Sequence, residues 1–329
     1  MLLCLTLLDA SAQDKSFLQF FSAPLTLNPA FTGTSRQARA ALLHRVQYPR
    51  LAGDFVSTAF SYDQDFQDIK SSFGLLLQTD RAGAAGLRST DIQLSYAYLV
   101  PLNQDWRLRL GLSLGYGNKS LNYLNFVFGD QLTPTGLSNL GTQETGLEGL
   151  SLQYWDVSSG FLLYNQYAWV GFSAAHLNQP QQAFIDNAYR LPIRYAAHGG
   201  LRIPIEMGML RDEEVSLQPS FSYRMQGGIQ QLDLGANFQY QYITAGLWYK
   251  DIPIQAGTAG AFALVAAMQY EGLRFSYSYE YATGALSGLG GAHEIGISYI
   301  LRFEQLLPYR NRNKYVAFPL FSEYGDNRW

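Results

Sequence analysis

The chain has 329 residues, 15% of them charged and 15% aromatic, including 23 Tyr and 20 Phe. That length can form one large β-domain or two ordinary ones, and the charged fraction is well below the roughly 25% usual in soluble domains. A net charge of -3 offers neither a basic nucleic-acid surface nor a polybasic lipid contact, so no nucleic-acid partner is expected.

The first twelve residues read as a secretory signal. The apolar run Leu2 to Leu8 leads into Ala10-Ser11-Ala12, an Ala-x-Ala site, and cleavage is expected after Ala12. The single cysteine, Cys4, falls inside this segment and lacks the small residues that precede a lipoprotein cysteine. The mature chain is therefore expected to carry no disulfide and no thiol chemistry. Beyond it no run of about 18 apolar residues could cross a bilayer as a helix. A membrane location then requires a closed barrel, because open sheet edges cannot be satisfied in hydrocarbon.

Residues 13–36 do not alternate. Phe17, Phe20, Phe21, Leu25 and Leu27 lead to Asn28-Pro29-Ala30-Phe31-Thr32-Gly33, whose Asn-Pro and Thr-Gly pairs are turn signals; this is an ordered lead-in. From there the pattern has period two. Candidate strands fall near 37–48, 54–64, 71–80, 89–100, 105–118, 153–163, 167–176, 191–204, 214–226, 230–240, 242–250, 259–270, 272–281 and 292–303. In Leu273-Arg274-Phe275-Ser276-Tyr277-Ser278-Tyr279-Glu280-Tyr281 every odd position is apolar or aromatic and every even one polar. Segments of about ten residues with this alternation suit tilted membrane strands, greasy toward lipid and small or charged toward a lumen. The expected fold is an all-β, antiparallel up-and-down transmembrane barrel of about fourteen strands over 37–303. A periplasmic tail of 304–329 follows it.

Connections after even-numbered strands are tight, as at Leu102-Asn103-Gln104, Tyr164-Asn165-Gln166, Gln241 and Glu271. Those after odd-numbered strands run longer, at 81–88, 119–152, 177–190 and 282–291. Short periplasmic turns and long outer loops alternate in this way. Two connections depart from the rule, 205–213 and Gly227-Gly228-Ile229. The 119–152 segment is the longest and is the expected outer or plugging element.

Enzymatic chemistry finds little footing. None of the four histidines, His44, His176, His198 and His293, sits in a nucleophile or metal-ligand motif, and His176 and His293 read as strand-end residues bonding loop backbone. No metal or cofactor is expected. Arg107, Arg109, Asp233, Lys250, Arg274, Glu280, Glu294 and Arg302 face the lumen and are read as paired charges filling it. Tyr96, Tyr98, Tyr116, Tyr277, Tyr279, Tyr299 and Phe303 are read as interfacial girdles.

Several segments resemble, in order along the chain, the PorP/SprF family of type IX secretion membrane proteins of Bacteroidetes. They are Gln19-Phe20-Phe21, Asn28-Pro29-Ala30-Phe31-Thr32-Gly33, Arg45-Val46-Gln47-Tyr48-Pro49 and Ser61-Tyr62-Asp63. Downstream come His176-Leu177-Asn178-Gln179-Pro180, Leu191-Pro192-Ile193-Arg194-Tyr195 with His198 and Gly200, Gly246-Leu247-Trp248-Tyr249, and Gly291-Ala292-His293-Glu294-Ile295. Tyr48 stands where the family usually has tryptophan and Ala292 where it tends to have serine. The resemblance implies a non-enzymatic outer-membrane barrel supporting secretion or surface anchoring of cargo, gliding adhesins included. Its implied partners are outer-membrane lipoproteins and periplasmic ring proteins of the machinery, cargo C-terminal domains and outer-membrane lipid. Asn28, Pro29, Phe31, Gly33, His176, Pro180, Arg194, Tyr195, His198, His293 and Glu294 become the candidate partner-contact residues. The first four would fix the lead-in against the periplasmic end, and His176, Pro180, Arg194, Tyr195, His293 and Glu294 would lie toward the outer ends of strands. The alternative from the residues themselves is an outer-membrane channel for small or hydrophobic solutes. A lipid hydrolase would need a lipid-facing Ser/His pair.

Overall fold

The computed structural model describes residues 16–51, 53, 55–83, 86–121, 129–133, 136–137, 151–182, 190–205, 215–251 and 260–301. The expected signal peptide, the tail from 304, and Arg302 and Phe303 lie outside them, as does most of 119–152.

Fourteen strands form one closed antiparallel sheet. They are β1 Ala38–Gln47, β2 Phe55–Phe66, β3 Ser71–Ala82, β4 Leu87–Pro101, β5 Arg107–Ser120, β6 Ser151–Tyr164 and β7 Ala168–Ala175. Then follow β8 Arg194–Leu201 with its continuation Ile203–Pro204, β9 Val215–Gln226, β10 Ile229–Tyr240, β11 Ile243–Asp251, β12 Ala261–Tyr270, β13 Leu273–Ala282 and β14 Ala292–Leu301. Each pairs with its sequence neighbours, and β1 closes on β14 from Ala38 opposite Leu301 to Gln47 opposite Ala292. Closure leaves no open edge along the paired wall. The β8 ladder to β9 lapses between Gly200–Ser220 and Ile203–Leu217. Pro219 stands at the lapse and has no N–H to donate.

The period-two pattern sorts the residues inside out. Leu94, Leu112 and Leu264 are about 60% exposed (61%, 59% and 62%), whereas Arg39, Asp63 and Arg109 are at most 1% exposed. Leu94, Leu112, Leu114, Leu247, Leu264, Ile295 and Ile297 make an outward aliphatic band between exposed aromatic rows. Phe66, Phe73, Tyr96, Tyr98, Tyr240 and Tyr270 lie toward one end; Tyr116, Trp155, Tyr249, Phe262 and Tyr281 lie toward the other. This is the girdle arrangement of a lipid-facing wall. Beyond the second row, His44, Thr58, Thr79, Thr90 and Asn118 stand in register on β1 to β5, and His44 Nδ1 lies 2.9 Å from Thr58 Oγ1. That row marks where the wall leaves the apolar band.

One end carries short turns. At Glu271-Gly272 both residues have positive φ, 45° and 87°, which matches the twist of the flanking strands. The opposite, loop end carries most of the longer connections.

The lead-in departs from its expected position. Residues 16–36 run inside the barrel, from the loop-end half of β14 down to the turn end, and plug the lumen. Among the described residues the lumen is plugged by this segment, while most of 119–152, the expected outer or plugging element, lies outside them. The reason is physical: Phe17, Leu18, Phe20, Phe21, Leu25, Leu27 and Phe31 are all buried, and a segment so apolar must be withdrawn from water. Two short 3₁₀ turns, Pro24–Thr26 and Pro29–Phe31, fold it, and the Asn28 side chain caps the second by accepting the Ala30 amide at 2.8 Å.

Candidate functional site

Three anchors hold the plug. At the loop-end side, the Glu294 carboxylate accepts the Leu18 and Gln19 amides at 3.0 and 2.8 Å, while Arg45 clamps it at 3.3 Å. Gln19 Nε2 adds bonds to Ser278 Oγ and the Glu294 carbonyl, both 3.0 Å. At mid-lumen, Asn28 Nδ2 lies 3.0 Å from the Phe161 carbonyl, 3.2 Å from that of Phe172 and 3.0 Å from His198 Nε2. Phe31 stacks on the same imidazole, ring centroids 5.2 Å apart. Toward the turn end, Asp63 accepts the Gly33 amide at 2.8 Å and is held by Arg39 at 2.9 and 3.1 Å. Beside it Arg109 donates to the Thr32 carbonyl at 2.6 Å, Ser72 Oγ at 2.8 Å and Asp65 at 3.0 Å.

Glycines make room for these contacts. A Cβ on Gly111 would come within 2.3 Å of the Ala30 nitrogen, and one on Gly160 within 2.2 Å of Asn28 Oδ1. Close approach of two backbones is the use of glycine that its missing Cβ permits.

Above the plug the lumen opens at the loop end into a cup of about 630 Å³. Its wall carries charges of both signs, Lys119 on β5 among them. On β3, β4 and β6 stand Asp80, hydrogen-bonded by Ser57; Asp91, which accepts from Tyr154 Oη at 2.5 Å; and Asp156, 2.8 Å from His176 Nδ1. Across the cup Arg45 and Lys250 both bond Glu280, at 3.0 and 2.9 Å. Arg194 also lines the cup. His176, at φ 59°, ends β7 in a tight turn that Asn178 secures by bonding the Trp155 carbonyl and Val157 amide at 2.7 and 3.1 Å.

The sequence candidates therefore separate into three groups. Asn28, Pro29, Phe31, Gly33, His198 and Glu294 are buried in the plug–wall contact, within the lumen rather than against its end. His176 and Arg194 line the cup, and Pro180 accepts the Leu191 amide at 2.9 Å across the base of the loop between them. Tyr195 faces outward against Phe172, and His293 faces outward with its Nδ1 2.8 Å from Tyr277 Oη. Thus His176 and His293 each meet a side chain of an adjacent strand, Asp156 and Tyr277. The paired-charge reading holds for Arg109, Asp233, Lys250, Glu280 and Glu294, whose partners include Asp65, Arg224 and Arg45. The partners share strand parity with them, a signal the sequence carried. Arg274 departs: it lies under the Phe21 ring, 5.4 Å from its centroid, and its Nε and Nη2 have no hydrogen-bond partner among the described residues.

The fold and the site together define a membrane β-barrel of fourteen strands closed by its own N-terminal segment. Residues 9–299 match the family model for the type IX secretion system membrane protein PorP/SprF, and the chain belongs to that family. This is a family of secretion-system membrane barrels and not of enzymes, and it points to an outer-membrane location. No curated protein matches the chain. Among solved structures it is similar to the CymD monoaromatic hydrocarbon channel, at 12% identity over 85% of this chain and 93% of that one, with a TM-score of 0.48. It is also similar to the Pseudomonas putida toluene transporter TodX, at 10% identity over 84% and 91%, with a TM-score of 0.46. The KdgM porin is a further match, at 8% identity over 80% and 99%, with a TM-score of 0.37.

Proposed function

We propose that the chain is a non-enzymatic outer-membrane scaffold that supports secretion or surface anchoring of cargo, with its loop end as the cargo-facing side. The observation that carries this reading is the plug: a lumen filled from Leu18 to Gly33 leaves a cup at the loop end, with His176 and Arg194 on its wall, as the place for recognition. Family membership supports association with type IX components. The finer assignments belong to the proposal: outer-membrane lipoproteins, periplasmic ring proteins, cargo C-terminal domains such as those of gliding adhesins, a signal removed after Ala12, and a periplasmic tail from 304. Affinity purification from detergent-solubilised outer membrane should recover type IX lipoproteins and a cargo C-terminal domain. Deleting 122–150 should leave a folded, heat-modifiable barrel that no longer retains cargo, and unaltered cargo display would refute the assignment. The alternative, an outer-membrane channel for small or hydrophobic solutes, predicts steady conductance of the native protein in planar bilayers, where the plugged scaffold is silent.

A further inference from the structure

Among the described strand residues every lysine and arginine has lumen parity except Arg81 on β3 and Arg88 on β4. Their neighbours Asp80, Ala82, Leu87 and Ser89 line the cup, so these two side chains point away from it, and both are exposed. Arg81 and Arg88 stand directly opposite each other in the β3–β4 ladder, at its loop end. The carboxylates of β2 to β6 all lie on the other face: Asp63, Asp65 and Asp156 are buried toward the lumen, and Asp80 and Asp91 line the cup. Like charges directly opposite on one face oppose strand pairing, and an anion shared between them reverses that sign. Two planar guanidinium forks side by side suit a phosphate, whose oxygens accept from both.

Below the arginines the outer face of β3 to β5 changes chemistry in layers. The next row toward the turn end is Thr79, Thr90 and Asn118, in register across the three strands. The row after it is Leu77, Ile92 and Tyr116, with Tyr116 packed edge-on against Trp155 at 5.2 Å. Apolar, then hydroxyl and amide, then cationic is the order met along an amphiphile whose sugar lies between its acyl chains and its phosphate. In a glycerophospholipid the phosphate follows the acyl esters directly, with no hydroxyl layer between. We propose that this face seats a phosphorylated glycolipid of the outer leaflet. Its acyl chain lies on Leu77, Ile92 and Tyr116, its sugar hydroxyls meet Thr79, Thr90 and Asn118, and its phosphate is held between Arg81 and Arg88. The assignment rests on the loop end being the outer side, as in the function proposed above.

The test uses the full-length barrel in detergent micelles, with fluorescent diphosphoryl lipid A as the probe and heat-modifiability as the check of folding. The native protein should bind the probe saturably. Arg81→Gln combined with Arg88→Gln removes the charge-assisted bonds of both guanidinium groups and should weaken binding about tenfold. Arg81→Lys with Arg88→Lys should recover part of that loss, because the charge stays and the fork is lost. Arg50→Gln should leave binding unchanged, since Arg50 is an exposed cation in the loop after β1, beside Gly290 and away from this face. Lipid A stripped of its phosphates should bind the native protein as weakly as the intact lipid binds the double glutamine variant. Equal binding by the native protein and the folded double glutamine variant would overturn the proposal, and so would undiminished binding of the stripped lipid. Dioleoylphosphatidylglycerol competing as well as lipid A would overturn the choice of a glycolipid. Micelles have no sides and cargo retention is scored separately, so failure of this seat and failure of the scaffold assignment are told apart.

Discussion

The arc of lumen wall on β1 to β5 and the arc on β9 to β13 bury the same plug by opposite means. On the first, Arg39–Asp63 and Arg109–Asp65 are fully buried ion pairs, and each also bonds plug backbone, at Gly33 and Thr32. On the second, Trp248, Ala263 and Val265 pack on the plug's rings, the ion pairs Arg224–Asp233 and Lys250–Glu280 stand on the wall, and several Ser, Gln and Asn polar atoms have no hydrogen-bond partner among the described residues. Buried pairs of this kind contribute little net stability compared with apolar packing, but they are costly to break, so they specify position. Here they fix where the chain leaves the lumen: Gly33 is tied down only five residues before Ala38 begins β1. The second arc holds the plug by ring packing, as of Phe20 on Trp248, and by the neutral contacts of Gln19 with Ser278 and Ser22 with Ser276. The difference separates a seat fixed by charge from a face held by packing and neutral hydrogen bonds.

Substitutions on the two arcs should therefore differ in size and even in sign. Asp63→Ala should have the largest effect. It leaves Arg39 buried without its carboxylate and the Gly33 amide without an acceptor, and breaking a buried pair costs about 3–5 kcal/mol. A denaturant titration of the heat-modifiable band would show it, and a loss under about 1 kcal/mol would mean that the pair is wetter than its geometry indicates. Gly111→Val comes next. Its Cβ would meet the Ala30 nitrogen at 2.3 Å and the Pro29 carbonyl carbon at 2.5 Å, and plug backbone cannot rotate aside as a side chain could. Overpacking of this kind costs about 1–3 kcal/mol, and limited proteolysis within 16–36 should become faster. Asn28→Ala removes the cap of the second 3₁₀ turn and the link to His198, worth about 1–2 kcal/mol. It should loosen the middle of the plug while leaving protease protection near Gly33 intact.

Much of the wall was legible because a strand's side chains alternate strictly. Leu110, Leu112 and Leu114 against Arg109, Gly111 and Ser113 place one set in lipid and the other in the lumen whatever the tertiary detail. The same parity in Ser61, Asp63 and Asp65 marked lumen carboxylates that pair with Arg39 and Arg109. The plug was less legible because residues 16–36 have no period, so turn signals alone had to place them. Two further signals bear on it. Seven buried apolar side chains cannot be left outside a barrel, and lumen-facing glycines at 111 and 160 leave holes that something must fill. The contact of Asn28 with His198 spans 170 residues of sequence and follows from no local pattern. Recognition of both as family residues could say that they matter, but not that they meet.

The smallest effect, and the one that best separates the two arcs, is expected for Ser220→Ala. On the paired arc, removing a bonded polar atom strands its partner. At Ser220 there is none to strand, because its Oγ is buried with no hydrogen bond among the described residues. Deleting an unbonded buried hydroxyl removes a desolvation cost without losing an interaction, so stability should be unchanged or rise by about 1 kcal/mol. Ser95→Ala, the matching change on the other arc, removes the acceptor for Thr32 Oγ1 at 2.9 Å and should cost about 1 kcal/mol. Opposite signs for two serine-to-alanine changes at similar burial would establish the asymmetry by chemistry alone. Equal losses would mean that the Ser220 hydroxyl is satisfied in the closed barrel, and that the plug is seated as firmly against β9 as against β2.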